Sequence, residues 1–320
     1  MEFIGNDVRG TIPAEFSSLT SLRTMVFTWN QLSGDIPAWI GDLSRLEFLY
    51  LANNLFTGTV PLVIEELENL KVLALNDNGL DGPVDMAWRL QKLEYLFIED
   101  NLFTGELPPM ISNTSPKLIN LDVSKNDLVG PLPIDLFQLT SIEILDFHGN
   151  AFNGSVPSAE GVDFSPLEFL ALHQNKIEGQ IPASLSNLKT LQHIDLSENR
   201  LGGVIPNLSN LTNMEYFFLA ENNLAAGSIP DFLFDYSYLR ELSLKNTNRA
   251  GSLSDGLRQG SGWKSLVVLD LDNNFLSGEI PAEFGDLQDL EFLLLNRNQF
   301  SSTLPADLEN LTNLRKHEVN

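Results

Sequence analysis

An asparagine returns along this chain at a fixed interval, and no other feature constrains the fold as strongly. Asn6, Asn30, Asn54, Asn78, Asn101, Asn126, Asn150, Asn175, Asn199, Asn222, Asn274 and Asn298 are each preceded by apolar residues at minus five and minus three, and Thr247 fills the one remaining slot. The span from Asn6 to Asn298 divides into twelve steps averaging about 24 residues. Length alone would allow two or three domains in 320 residues. The period overrides that prior, because units of this size bury their apolar face only by stacking on the next copy. A single repeat domain over residues 1–320, with about 13 repeats, is therefore expected.

Each unit has the same anatomy. In Leu49-Tyr50-Leu51 apolar residues alternate, as in a short strand with one buried face. The asparagine that follows can turn its amide inward and satisfy backbone groups of the loop and of the next coil. The ladder (Asn30, Asn54, Asn78, Asn101, Asn126, Asn150, Asn175, Asn199, Asn222, Asn274 and Asn298) is thus read as structural. Glycine, an apolar residue and proline come next, as in Gly34-Asp35-Ile36-Pro37, and ten of the thirteen repeats carry this motif in full. Glycine permits a bend that a side chain would block, and proline ends the pairing of a second short strand. Apolar residues three apart, as in Ile40, Leu43 and Leu46, then suggest a turn or two of 3-10 or α-helix.

In these features the sequence resembles the plant-type leucine-rich repeats of receptor-like kinases, receptor-like proteins and polygalacturonase-inhibiting proteins, over essentially its whole length. The resemblance implies an α/β solenoid: a right-handed superhelix with a concave parallel β-sheet and short 3-10 or α turns on the convex side. It also implies an extracellular or cell-surface setting. The motif departs at Gly82-Pro83-Val84-Asp85 and Gly251-Ser252-Leu253-Ser254, which lack the proline, and at Ser302-Thr303-Leu304-Pro305, which lacks the glycine. The step from Thr247 to Asn274 is longer than the others, and the excess lies in a glycine-rich stretch ending at Trp263, an aromatic expected to be exposed. Both ends fall within a repeat: Met1 and Phe3 take inward strand positions and Val319 lies in a strand still short of its ladder residue, with no caps seen. This reads as a section of a longer protein, or as an array that stacks end to end.

Function is then sought at the positions minus six, minus four, minus two and minus one from each ladder residue, which face outward from the sheet. Thirteen of those 54 positions are acidic, against 43 of 320 in the whole chain. Aromatics gather near the N-terminus, at Trp29, Phe48, Tyr50, Tyr95 and Phe97, and again at Phe169, Tyr216 and Phe218. Outward aromatics either mark a partner site or stabilise the sheet as cross-strand neighbours. Between the two clusters His148, His173 and His193 share one region with Asp122, Asp146 and Asp195. Ordinary polar sheet surface, a protonation-sensitive contact and a metal site all remain open there. Parallel neighbouring side chains do not by themselves converge on one ion, so no metal or other cofactor is assigned.

With a formal net charge of −24 the chain repels nucleic acid and anionic lipid and favours cationic or amphipathic partners. It has no cysteine, hence no disulfide, thiolate metal site or cysteine nucleophile. No catalytic turn or phosphate-binding loop stands apart from the repeat, and an enzyme is not expected. No apolar run is long enough to insert directly into a membrane. Asn113, Asn153, Asn207, Asn210 and Asn310 head glycosylation sequons, in about the number that chance gives, so placement outside the cell rests on the resemblance. The expected function is recognition of a protein or peptide on the acidic and aromatic concave face, by the residues Trp29, Phe48, Tyr50, Tyr95, Phe97, Asp122, Asp146, His148, His173, His193, Asp195, Tyr216 and Phe218. The alternative is a structural or adhesive component of an extracellular assembly, built by stacking such arrays and self-associating through uncapped ends.

Overall fold

A computed structural model describes residues 1–257, 262–301 and 303–315. The chain divides into two compact units, one formed by Met1–Pro157 with Ser165–Leu167 and the other by Ser158–Phe164 with Glu168–Asn320. Both are built from the same repeat.

In the first unit the strands Thr24–Val26, Phe48–Tyr50, Val72–Ala74, Tyr95–Phe97, Asn120–Asp122 and Ile144–Asp146 pair in parallel, in chain order. Three residues make too short a strand to persist alone, so each depends on its neighbours. Their central residues Met25, Leu49, Leu73, Leu96, Leu121 and Leu145 stand in register and are wholly buried. Each such burial is worth roughly 2 kcal/mol. A second parallel sheet follows the ladder residues, from Arg9–Gly10 and Gln31–Gly34 through Leu55–Thr59, Gly79–Pro83, Leu102–Glu106 and Asp127–Pro131 to Ala151–Asn153. The second unit repeats the plan with Phe169–Ala171, His193–Asp195, Tyr216–Phe218, Glu241–Ser243, Val268–Asp270 and Phe292–Leu294. Its second-sheet strands form a pair, Glu178–Gln180 with Arg200–Gly202, and a trio, Ala250–Ser252, Phe275–Gly278 and Gln299–Phe300.

The ladder amides bind successive coils together. Asn54 Nδ2 donates to the carbonyls of Leu51 (3.1 Å) and Ala52 (3.0 Å) in its own turn and of Phe27 (2.8 Å) one repeat earlier, while its Oδ1 accepts from Leu32 N (3.1 Å). Asn101, Asn126, Asn222 and Asn274 make the same buried set. The residue before every ladder position is left-handed. Gly5 and Gly149 hold two of these places, and the other eleven are Trp29, Asn53, Asp77, Asp100, Lys125, Gln174, Glu198, Glu221, Asn246, Asn273 and Arg297, at φ of 48–58°. A left-handed non-glycine residue costs about 1 kcal/mol, which the inward amide and its hydrogen bonds offset.

The glycine of the next motif is also left-handed, at φ 80° for Gly34. The proline then starts the outer turn, as Pro37 does for Ala38–Asp42. All the outer helical turns among the described residues are 3-10, and none is long and apolar enough to cross a membrane. Without proline the start changes: Val84 precedes Asp85–Arg89, and the Ser252 side chain accepts from Ser254 N. Ser302 and Val319 lie outside the described residues. Phe3 lies beside Phe27, with ring centroids 5.7 Å apart, but remains exposed.

Two sites in the second unit differ from the sequence reading. Trp263, expected to be exposed, is wholly buried: its Nε1 donates to Leu233 O (2.7 Å) and its ring stacks on Phe234 at 4.7 Å. An indole with a carbonyl within reach is stabilised by burial, and that carbonyl lies about thirty residues away in sequence. Residues 258–261 of the same stretch lie outside the described residues. At the broken rung, Thr247 Oγ1 reaches only Leu244 O (2.6 Å). Beside it, Arg249 is buried at a place that in other repeats holds a buried apolar residue such as Leu32 or Phe56. Its Nε donates to Thr247 O (2.9 Å), its Nη1 to Ser228 O (3.3 Å), and its Nη2 to Thr247 O and Ala225 O.

Candidate functional site

Two-residue alternation leaves one face of each first sheet open, and its outward side chains form columns. In the first unit the minus-six column runs Thr24, Phe48, Val72, Tyr95, Asn120, Ile144 and the minus-four column runs Val26, Tyr50, Ala74, Phe97, Asp122, Asp146. Phe48, Tyr50, Tyr95 and Phe97 are half-buried rather than free in solvent. They flank the small residues Val72 and Ala74, which are buried beneath them. Tyr95 and Phe97 stack at 6.2 Å, and Lys71 Nζ sits 5.8 Å above the Phe48 ring while pairing with Glu47 at 2.9 Å. Burial, followed by the nearby Tyr95, raises the Tyr50 hydroxyl above its ordinary range. Trp29 stands apart from these rings in sequence position, on the left-handed turn before Asn30, and is 64% exposed.

Beside the aromatics the face turns acidic. Asp122 accepts from Ser124 N (3.0 Å) and Oγ (2.7 Å), yet burial and then Asp146 hold its carboxyl above the ordinary value. His148 Nδ1 lies 2.7 Å from Asp146 Oδ1, and this hydrogen bond raises the imidazole's pKa. Glu99 belongs to the outward acids of the sequence pattern but not to the candidate partner-binding residues. Burial, reinforced by Asp122, pushes its carboxyl up to about 8, and its Oε2 is buried without a hydrogen-bond partner among the described residues. The sequence signal for Glu99 was its place in the outward pattern, next to Asp100 and one strand from Asp122; the degree of burial was not legible.

In the second unit His193 stacks on Phe169, with centroids 4.2 Å apart and planes 19° apart, and Tyr216 and Phe218 approach it at 5.5 and 5.7 Å. Parallel register puts Phe169, His193 and Tyr216 on adjacent strands. His173 Nδ1 lies 3.2 Å from Asp195 Oδ2. Further along, burial raises the carboxyls of Glu241 and Asp270. The histidines therefore do different things: His148 bonds to an aspartate of its own strand, His173 meets one on the next, and His193 joins a ring cluster. Among the described residues no group of three or more His, Asp or Glu side chains is placed to hold a metal ion.

The five sequon asparagines are all exposed, and none is in a first-sheet strand. Asn153 ends a second-sheet strand, Asn310 ends the outer turn Ala306–Asn310, and Asn113, Asn207 and Asn210 lie in connections.

Comparison with known proteins agrees with this architecture. The family model described as Leucine Rich Repeat matches residues 45–67, 92–114, 166–188, 190–211, 265–287 and 289–311. Receptor-like protein 39 of Arabidopsis thaliana is 33% identical over 109 residues, which are 34% of this chain and 12% of that protein. Among solved structures, PEPR1–AtPEP1 is 29% identical with a TM-score of 0.91, over 98% of this chain and 44% of that one. The plant peptide hormone receptor RGFR1 in complex with RGF2 is 30% identical with a TM-score of 0.81, over 97% of this chain and 53% of that one. The chain thus spans about an eighth of the curated relative and about half of each receptor structure. By its asparagine ladder, its Gly-apolar-Pro turns, its parallel sheets and these matches, the chain carries leucine-rich repeats and is similar to plant receptor proteins built from them.

Proposed function

We propose that this chain is a recognition module that binds a cationic or amphipathic peptide or protein segment outside the cell, on the open face of its first sheet. Tyr50, Tyr95 and Phe97 would carry the contact, with Asp122 and Asp146 supplying the charge. The observation that carries this reading is the adjacency of half-buried rings to carboxyls that burial and one another's charge already disfavour as ions. A basic or amphipathic ligand relieves that repulsion while burying aromatic area, and so gains from both parts of the surface. Further support comes from RGFR1, which is described as a peptide hormone receptor and is alike in fold.

An array of synthetic twelve-residue peptides graded in charge tests the reading with purified chain. Basic peptides carrying apolar residues should be retained, and Tyr50→Ala combined with Phe97→Ala should weaken them at least tenfold. If the double variant retains the same peptides equally well, the face is not the site. Retention of none, with self-association that survives the two substitutions, would favour the assembly alternative.

A further inference from the structure

One repeat of the first unit has a groove where its neighbours have a side chain. The residue after each ladder asparagine faces outward at the start of the second sheet, and it is leucine one repeat before (Leu55) and one repeat after (Leu102), both exposed. Between them it is Gly79. Its backbone lies outside the left-handed region, so the conformation does not require glycine. A Cβ built there would meet only Phe56 O at 3.3 Å and the Thr57 methyl at 3.5 Å, a fit that needs slight relaxation. A groove of about 460 Å³ opens here at the rim of the ladder sheet.

Its walls are chemically unlike. Leu55 and Thr57 form one side, and the other carries Asp77 and Asp100, both on left-handed turns. Asp100 is shared with Lys125 Nζ at 3.0 Å. Asp77 accepts from its neighbour Asn76 Nδ2 (2.8 Å) and has no ion pair among the described residues. An aliphatic stem suits the Leu55 wall and a cationic head suits Asp77, which is the profile of a long basic side chain.

We infer that the Gly79 groove is a subsite for an arginine or lysine side chain of the partner, seated along Leu55 with its charged head between Asp77 and Asp100. This rests on the peptide-binding reading above and names the side chain that would cross the rim of the face. Arginine is the better fit, because a guanidinium can bond two carboxylates at once.

The probe is N-acetyl-argininamide, titrated against full chain carrying labelled leucine methyls, with neutral N-acetyl-citrullinamide as control. Millimolar binding that shifts the Leu55 methyls is expected for the arginine probe alone. Gly79→Leu, which installs the residue of the flanking repeats, should weaken it at least fivefold, and Asp77→Asn, a surface change that leaves the groove open, at least threefold. Equal binding of the two probes, or affinity that neither substitution changes, overturns the subsite. Tyr50→Ala with Phe97→Ala lies outside the groove and should leave argininamide binding intact. Peptide retention that survives Gly79→Leu but not the aromatic substitutions would defeat the subsite while sparing the face; the reverse pattern would defeat the face.

Discussion

Glu99 is the residue at which the fold and the proposed function meet. Its carboxyl is pushed up to about 8 by burial and by Asp122, so near neutrality it is held largely protonated on a face crowded with acids. The folded pKa lies above the ordinary carboxylate value. Its stabilising contribution is therefore complete below the unfolded pKa near 4.5 and is lost as pH rises through about 8. Glu99→Gln, which keeps a neutral polar group there, should match the parent chain at pH 4 and exceed it at pH 9. Because the side chain is only partly buried, the gain after solvent screening is about 2 kcal/mol. Urea denaturation at the two pH values measures it, and an equal difference at both would mean that Glu99 ionises normally. Trp29 poses a different question at this scale. A bulky residue in a left-handed turn is strained, and this one also exposes its ring, so packing does not account for its presence.

At the scale of the element, each repeat depends on one inward amide, and the exception shows what that amide does. Thr247 Oγ1 reaches Leu244 O, and Arg249, in a position that other repeats give to apolar side chains, holds the carbonyls of Thr247, Ser228 and Ala225. Arg249→Leu should destabilise the chain by about 3 kcal/mol, because it strands buried carbonyls beside Thr247. Adding Thr247→Asn should recover little of that loss, because a ladder amide reaches carbonyls three residues before itself and before the preceding rung, not those that Arg249 holds. Thermal unfolding of both variants measures this, and an Arg249→Leu chain as stable as the parent would refute it. The bonds of Arg249 were not legible in the sequence, which showed only a threonine in an asparagine slot. The strands, the ladder and the glycine-proline turns were legible, because each repeats the same side-chain chemistry in phase. The left-handed residue before each rung was not: Asp77, Lys125 and Arg297 share a conformation but no chemistry. Trp263 was misjudged because glycines beside an aromatic suggest a loop, whereas Leu233 O and the Phe234 ring give the indole a buried seat.

At the scale of the whole molecule, periodicity identified the architecture and left the partner open, since ladder and turns are common to every repeat. The candidate face was legible as a pattern of outward acids and aromatics. What the sequence could not give was depth: Phe48, Tyr50, Tyr95 and Phe97 are half-buried over Val72 and Ala74, and the three histidines have three different sets of neighbours. The most direct test of the central claim is the hydrogen-exchange footprint of a basic peptide selected by the array, compared between free and bound chain. Slowed exchange is expected in Phe48–Tyr50, Val72–Ala74 and Tyr95–Phe97 and in the turns that follow them, with little change in the outer turns Ala38–Asp42 and Leu62–Glu66. Protection confined to those outer turns would contradict recognition on the sheet face.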